Sequence, residues 1–418
     1  MKKLPLLMAL LLIGVIAAPS SAQASQFALF LGKSNGTVLL YRADLSGAIT
    51  PLSKATSGSV KLYQADTSGA AFIAGVSASN LTLNVVDLNT KAIMTAPLNA
   101  KSVSQLVLTD SAVELAATSS DGKATLMTFN RTDLKPIARQ STQRTDSVWT
   151  IQAGGKWTMA YNTSGALDVF SLPDLKEIPF DLVDKGYTVP SWSPAAGQLQ
   201  LIGSSAAQPD NHFIYLIDFD NPGSKQFALP AGTNDAQWSS HGHYVVSTNR
   251  GDTGTLVITS VADGSQQTLS EPGFVLVPLS WSYDDQWMFY TAQINAASPV
   301  DLFAYNVTTG DRDIVHMINE TPISSFWATD SDQAVVLAQA SDNSIGLYTM
   351  TAPKFDSWTP LISTANGPVV NASIAWRSNT VLVEYAGALL SMDLGTRAAL
   401  RLTPVEVQIV PGSEQLIG

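Results

Sequence analysis

The sequence predicts an all-β protein built as a single β-propeller of four-stranded antiparallel blades, and three observations predict it. Tryptophan recurs at Trp149, Trp192, Trp238, Trp281, Trp327 and Trp376, with gaps of 43, 46, 43, 46 and 49 residues. Each is followed by a polar turn and an alternating apolar strand, as in "LSWSYDDQWMFYTAQ" at 279–293. A second marker, a strand ending in a polar turn and then another strand, recurs nine times from Asp44 to Asp393. That is 349 residues in eight steps, about 44 each, the period of a four-stranded propeller blade.

The elements follow in chain order. Residues 1–24, "MKKLPLLMALLLIGVIAAPSSAQA", carry two lysines, an apolar run over 4–18 and a small-x-small site at Ala22-Gln23-Ala24. This pattern predicts a bacterial-type signal peptide with Ser25 as the first mature residue. The run is too short for a membrane span, and no later segment reaches the needed length. No cysteine follows, so no lipid anchor is expected. The next stretch, 26–53, reads as three strands, b, c and d, without an innermost strand a. The second and third units, "VKLYQADTSGAAFIAGVS" and "SQLVLTDSAVELAATSS", keep the layout but lack the tryptophan. From Trp149 onward strand a carries it. Period-two alternation makes these segments strands, and Asp, Asn, Gly and Pro at the joins make the turns. Stacked sheets bury each other's faces, so one tryptophan per unit reads as packing between blades. The last segment, "VEVQIVPGSEQLIG", is a lone a-type strand. It is expected to complete the first blade and close the ring, which removes two open edges. Nine units are counted. Eight or nine blades are expected, because the second or third unit could be merged. No linker divides residues 25–418, so one domain is expected.

Composition narrows the partners. There are no cysteines, so neither disulfides nor thiolate chemistry hold or serve the fold. The formal charge is −11, and −13 once Lys2 and Lys3 leave with the signal, which repels phosphate backbones. Charged residues are 14% of the chain, well below the usual quarter or so, and Ser, Thr, Asn and Gln solvate the surface instead.

The segment from Trp192, "WSPAAGQLQLIGS", followed by "FIYLIDFDNPGSKQFAL", resembles the repeats of TolB-like propellers, a bacterial WD-repeat-like family with a WSPDG turn, an apolar strand and an I-Y-x-x-D strand. The units at Trp192 and Trp281 match best; the others match partly or by period alone. At Asp284-Asp285 this chain departs from the family's Asp-Gly. The resemblance implies an exported propeller, often one that binds protein. Some propellers of this class sit on serine peptidases, but this chain has no G-x-S-x-G.

Candidate chemistry is sparse. His241-Gly242-His243 is the single close histidine pair, and i, i+2 spacing suits a metal. With no carboxylate beside it in sequence and a place in the a–b turn, it reads as a solvated turn. Asp284-Asp285 and Asp330-Ser331-Asp332 occupy equivalent a–b turns, where a carboxylate accepts backbone N–H bonds. The b–c connections at Gln208, Asp210 and Asn211, at Asn295 and Ser298, and at Asp342 and Asn343 are longer or more polar than the rest. Such loops gather on one face of a propeller, so these residues are the expected binding face. The expectation is an exported, monomeric, non-catalytic module. It binds a protein, peptide or glycan of the envelope or the exterior, without cofactor, metal or nucleic acid. The alternative is a propeller-type glycosidase or lyase with carboxylates at the channel mouth. An uncharged channel would favour binding.

Overall fold

A computed structural model describes residues 27–417 apart from 54–59, 66–71, 78–80, 89, 143–146, 153, 163–166, 180–189, 195–196, 206–207, 222, 234, 250–252, 296–297, 316–319, 329–332, 363–368, 375–379, 405 and 411–414. The signal segment, Asp330-Ser331-Asp332 and Trp376 lie outside the described residues. What is described is all-β: nine antiparallel sheets form a nine-bladed propeller. Eight sheets have four strands in the order a-b-c-d, so the alternative of eight blades is not what forms. The second and third units make complete blades (Val60–Ala65 to Ile93–Pro97, and Ser102–Leu108 to Pro136–Ser141) even without the tryptophan.

Blade 7 shows the design. Strand a is Val275–Trp281, b is Trp287–Gln293, c is Asp301–Asn306 and d is Arg312–Val315. Each pairs antiparallel with the next, and strand a has no partner on its inner side within the sheet. The strand b residues Met288 to Ala292 are all buried, because both faces of each radial sheet meet a neighbouring blade. Alternate residues of strand b thus serve opposite seams, so period two here separates one seam from the other rather than core from solvent.

The core is divided among the seams. Nine apolar clusters are present, and each joins two consecutive blades. Alternation assigns side chains to seams: in Phe27–Ser34, Phe27, Leu29 and Leu31 pack toward blade 2, whereas Ala28 and Phe30 pack toward blade 9. Trp149, Trp281 and Trp327 are buried, each against the preceding blade. Trp192 and Trp238 are half-buried at the same place in their seams. The Trp192 and Trp238 indoles also donate to carbonyls of the preceding inner strand, at Thr150 (3.4 Å) and Ser191 (3.0 Å). The serine after the tryptophan has its own task. Ser282 Oγ accepts the N–H of Trp287 at 2.8 Å, and Ser239 Oγ that of Tyr244 at 3.0 Å, closing the a–b turn. The repeated Trp-Ser is therefore one seam residue and one turn residue.

The ring closes as expected, with a refinement. The C-terminal segment pairs with Phe27–Ser34 in two short pieces, Gln408–Ile409 against Gly32 and Lys33, and Gln415–Ile417 against Phe27 to Leu29. Val407 and Ile409 enter the seam between blades 9 and 1. Gly32 makes room for them: a Cβ there would lie 2.4 Å from Val407 Cγ1 and 2.8 Å from Tyr41.

Candidate functional site

The inner strands of blades 5 to 8 (Ser191–Trp192, Asp235–Trp238, Val275–Trp281 and Glu320–Trp327) line an open cavity of about 590 Å³ on the inner side of the ring. Its polar lining is Ser191, Gln237, Ser239, Ser240, Ser280 and Ser325, and its apolar lining is chiefly Trp192, Trp238, Leu279 and Phe326. Among the described residues that line it, none carries a charged side chain. Several of the polar groups bind across seams: Ser280 Oγ and Ser325 Oγ share a hydrogen bond at 2.5 Å, and Ser240 Oγ donates to the Trp281 carbonyl at 3.1 Å. They are therefore held in fixed positions. None of these serines was singled out by the sequence. The available signal was the residue before each tryptophan (Ser191, Gln237, Ser280), which alternation turns to the opposite side of the strand from the indole.

The rim of this cavity is built by the a–b turns, which nest on one another from blade to blade. Gly242 has φ +74, and a Cβ on it would lie 2.5 Å from Ser193 Oγ of the preceding turn. Asp285 occupies the matching position in blade 7 with φ 58, the conformation that a glycine would ordinarily take. Its side chain therefore points at the preceding turn, where it is 1% exposed. There the carboxylate accepts from Ser239 Oγ (2.7 Å), the His241 N–H (3.0 Å) and the His243 N–H (3.2 Å). His243 Nδ1 lies 3.1 Å from Asp285 Oδ2, and the ring is 69% exposed. His241 packs edge-on against Tyr283, with centroids 4.2 Å apart. Asp284 stays in its own turn, accepting from Ser282 Oγ at 2.6 Å and from the Gln286 N–H at 3.1 Å. The expected turn-setting role thus holds for Asp284, while Asp285 binds the preceding blade.

The sequence-predicted binding loops differ from one another in form. Gln208, Asp210 and Asn211 are not in a loop: strand Gln208–Asp218 starts at the first of them, and Ser205 pairs with Gln208 across a register shift. Of this run only Gln208 is placed opposite a residue of the neighbouring strand, and regular pairing begins at His212, so the run forms the irregular start of strand c, which polarity alone could not distinguish from a connection. Asn295 and Ser298 do form a b–c connection, in which the Ser298 N–H donates to the Asn295 carbonyl and Gln293 Nε2 to the Ser298 carbonyl. Asp342 and Asn343 form a tight turn, with Asn343 at φ 68 and Asp342 Oδ1 accepting from the N–H and Oγ of Ser344. Those hydrogen bonds hold its carboxyl below the usual carboxylate range.

A buried carboxyl lies elsewhere. Glu114, on strand Ala112–Thr118 of blade 3, is 1% exposed, and burial pushes its pKa up to about 8. Its Oε2 has no hydrogen-bond partner and lies 3.3 Å from where a Cβ on Gly155 would stand.

No protein-family model matches the sequence, and no curated protein matches it. Solved structures do resemble the fold. One is a structure described as the eukaryotic initiation factor, at TM-score 0.68 and 10% identity, covering 94% of this chain and 98% of that one. Another is dihydro-heme d1 dehydrogenase NirN in complex with DHE, at TM-score 0.52 and 12% identity, covering 82% and 74%. A looser likeness, at TM-score 0.41 and 15% identity over 73% and 97%, is to the β-propeller domain of the Trilobed protease from Pyrococcus furiosus. At such identities the likeness is one of fold alone. Among the described residues no helix is long and apolar enough to cross a membrane.

Proposed function

We propose that this protein is an exported, non-catalytic binding module of TolB-like type, cleaved after Ala24, that receives its partner at the central channel. The observation that carries the reading is that the described residues lining the cavity over blades 5 to 8 are all uncharged. Hydrolysis of a glycosidic bond asks for two carboxyls flanking the substrate. This cavity instead offers fixed hydroxyls, an amide and aromatic edges, which suit an uncharged polar or mixed surface. The partner is a protein, peptide or glycan of the envelope or the exterior, and the propeller acts on it as a monomer. The sequence supports export through the lysine-led apolar start and the Ala22-Gln23-Ala24 site.

The test uses residues 25–418 as bait in an envelope extract, beside the variant Gln237→Lys, which places a cation in the channel. A species captured in stoichiometric amount by the wild type and lost in the variant supports the reading. No capture, or equal capture by both, overturns the channel as the binding site. Expression of the full chain with fractionation and N-terminal mass spectrometry tests export; a retained residue 1–24 segment would refute cleavage.

A further inference from the structure

We propose that the outer edge of blades 2 and 3 is a docking surface for an anionic lipid bilayer. Residues 25–141, which make blades 1 to 3 apart from the closing strand, hold 10 Lys and Arg against 7 Asp and Glu, a net charge of +3. Residues 142–418 hold 11 against 27, a net charge of −16. The chain is acidic as a whole, yet one sector of the ring is basic. Charges more than about 8–10 Å away are screened at ordinary salt, so an approaching surface meets the charge of the sector that faces it.

The basic charge reaches the rim and is joined there by apolar side chains. The outermost strand is Ile93–Pro97 in blade 2 and Pro136–Ser141 in blade 3. Lys91, Lys135 and Arg139 are exposed along them. Among the described residues Lys91 and Arg139 have no ion-pair partner, and Lys135, 2.8 Å from Asp133, keeps its side chain 81% exposed. Asp87, the other carboxylate of these turns, accepts the Thr90 N–H at 3.2 Å. Ile93 and Ile137 are 44% and 40% exposed, each two residues after a lysine. Neighbouring blades thus repeat one arrangement, Lys91-Ala92-Ile93 and Lys135-Pro136-Ile137. Ile93 also borders an apolar cleft between blades 1 and 2, with Leu40, Leu52, Val60, Ile73 and Val86. Blade 7 gives the contrast: its rim isoleucine, Ile314, is exposed too, but Asp311 and Asp313 flank it and Arg312 is paired with Glu271. Bared aliphatic side chains set among lysines are the composition of an interfacial membrane contact. The carboxylates of an acidic protein are matched by the planar fork of arginine, whereas lysine is a point charge that suits a diffuse field. Each cation near an anionic leaflet is worth about fivefold in affinity.

The test is co-sedimentation of the mature chain, residues 25–418, with vesicles of phosphatidylcholine containing about one third phosphatidylglycerol, beside vesicles of phosphatidylcholine alone. Binding to the anionic vesicles at low salt, little to the neutral ones, and release at about 0.5 M NaCl are expected. Lys91→Glu with Arg139→Glu should weaken binding at least tenfold, and Ile93→Ser with Ile137→Ser should weaken it several-fold. Ile314→Ser should leave it unchanged. All these side chains are exposed, and a circular dichroism melt checks each fold; if a double variant fails to fold, its single changes decide, at about fivefold for each cation. No binding to the anionic vesicles overturns the proposal, and so does binding that the Lys91 and Arg139 changes leave intact. Equal binding to soluble poly-L-glutamate, indifferent to both isoleucine changes, would overturn it in favour of an acidic protein partner. None of these residues lines the inner cavity, so failure here leaves the channel reading standing.

Discussion

Replacing Glu114 by Gln should remove a specific part of the pH dependence of stability. The buried carboxyl titrates at about 8 in the folded protein, against an ordinary value of 4.5. Below pH 4.5 both folded and unfolded chains keep the proton. Between 4.5 and 8 only the unfolded chain releases it, so the folded state loses stability as pH rises. Above 8 both are ionised and the contribution is constant. Each unit of difference is worth about 1.4 kcal/mol, so the full span amounts to roughly 5 kcal/mol, and a relaxing seam would reduce it. The gap is large because Glu114 lies in the seam between blades 3 and 4, with burial as the cause of its shift and no hydrogen bond to Oε2. The assay is urea unfolding of wild type and Glu114→Gln at pH 5, 6, 7 and 8. The amide does not titrate, so the variant should gain on the wild type by about 1 kcal/mol per pH unit through this range. The absolute offset between the two depends on how the amide packs; the slope does not. A difference that stays flat from pH 5 to 8 would falsify the claim that this carboxyl is folded in its neutral form.

Other perturbations follow from the seams and the closure. Asp285→Ala leaves three donors, Ser239 Oγ and the His241 and His243 N–H groups, without their acceptor and should destabilise by about 3–5 kcal/mol, measured by chemical unfolding. Equal stability would show that water replaces the carboxylate. Trp281→Ala empties the seam between blades 6 and 7 and should cost about 3–5 kcal/mol; a loss under about 1 kcal/mol would mean the ring collapses to fill it. Deleting 404–418 removes the inner strand of blade 1 and the Val407 and Ile409 contacts, so the ring should open and melt far below the full chain. An unchanged melting temperature would refute closure. Gly32→Ala probes the same closure more gently, and refolding to wild-type stability would show that Val407 can yield.

The rest of the site depended on meetings that no local pattern records. Asp285 was visible as one of two turn carboxylates, and His241-Gly-His243 as a turn; their junction arises because consecutive a–b turns nest across a seam. The polar run at Gln208 to Asn211 looked like a loop because its side chains are polar; it is the irregular start of a strand, with Gln208 opposite Ser205 and regular pairing from His212 onward. Glu114 gave no warning at all, sitting in "SAVELAAT" where an exposed glutamate on an alternating strand would look the same.

What the sequence determined by itself is the ring. Alternation with period two specifies strands, a period near 44 specifies blades, and a tryptophan marks each unit from Trp149 onward, followed by serine at Trp192, Trp238 and Trp281. A first unit lacking strand a and a tail with a spare one specify closure. These are local or periodic properties, and burial of both faces of every sheet leaves one way to satisfy them. Tertiary structure decided the rest: the two-piece form of the closing strand, the uncharged lining that the described residues of blades 5 to 8 make, and the burial of the Asp285 carboxylate in the turn of the preceding blade. Each of these depends on which side chains face one another across a seam, at separations of forty residues or more, and a sheet's register and twist set that only after the blades have packed.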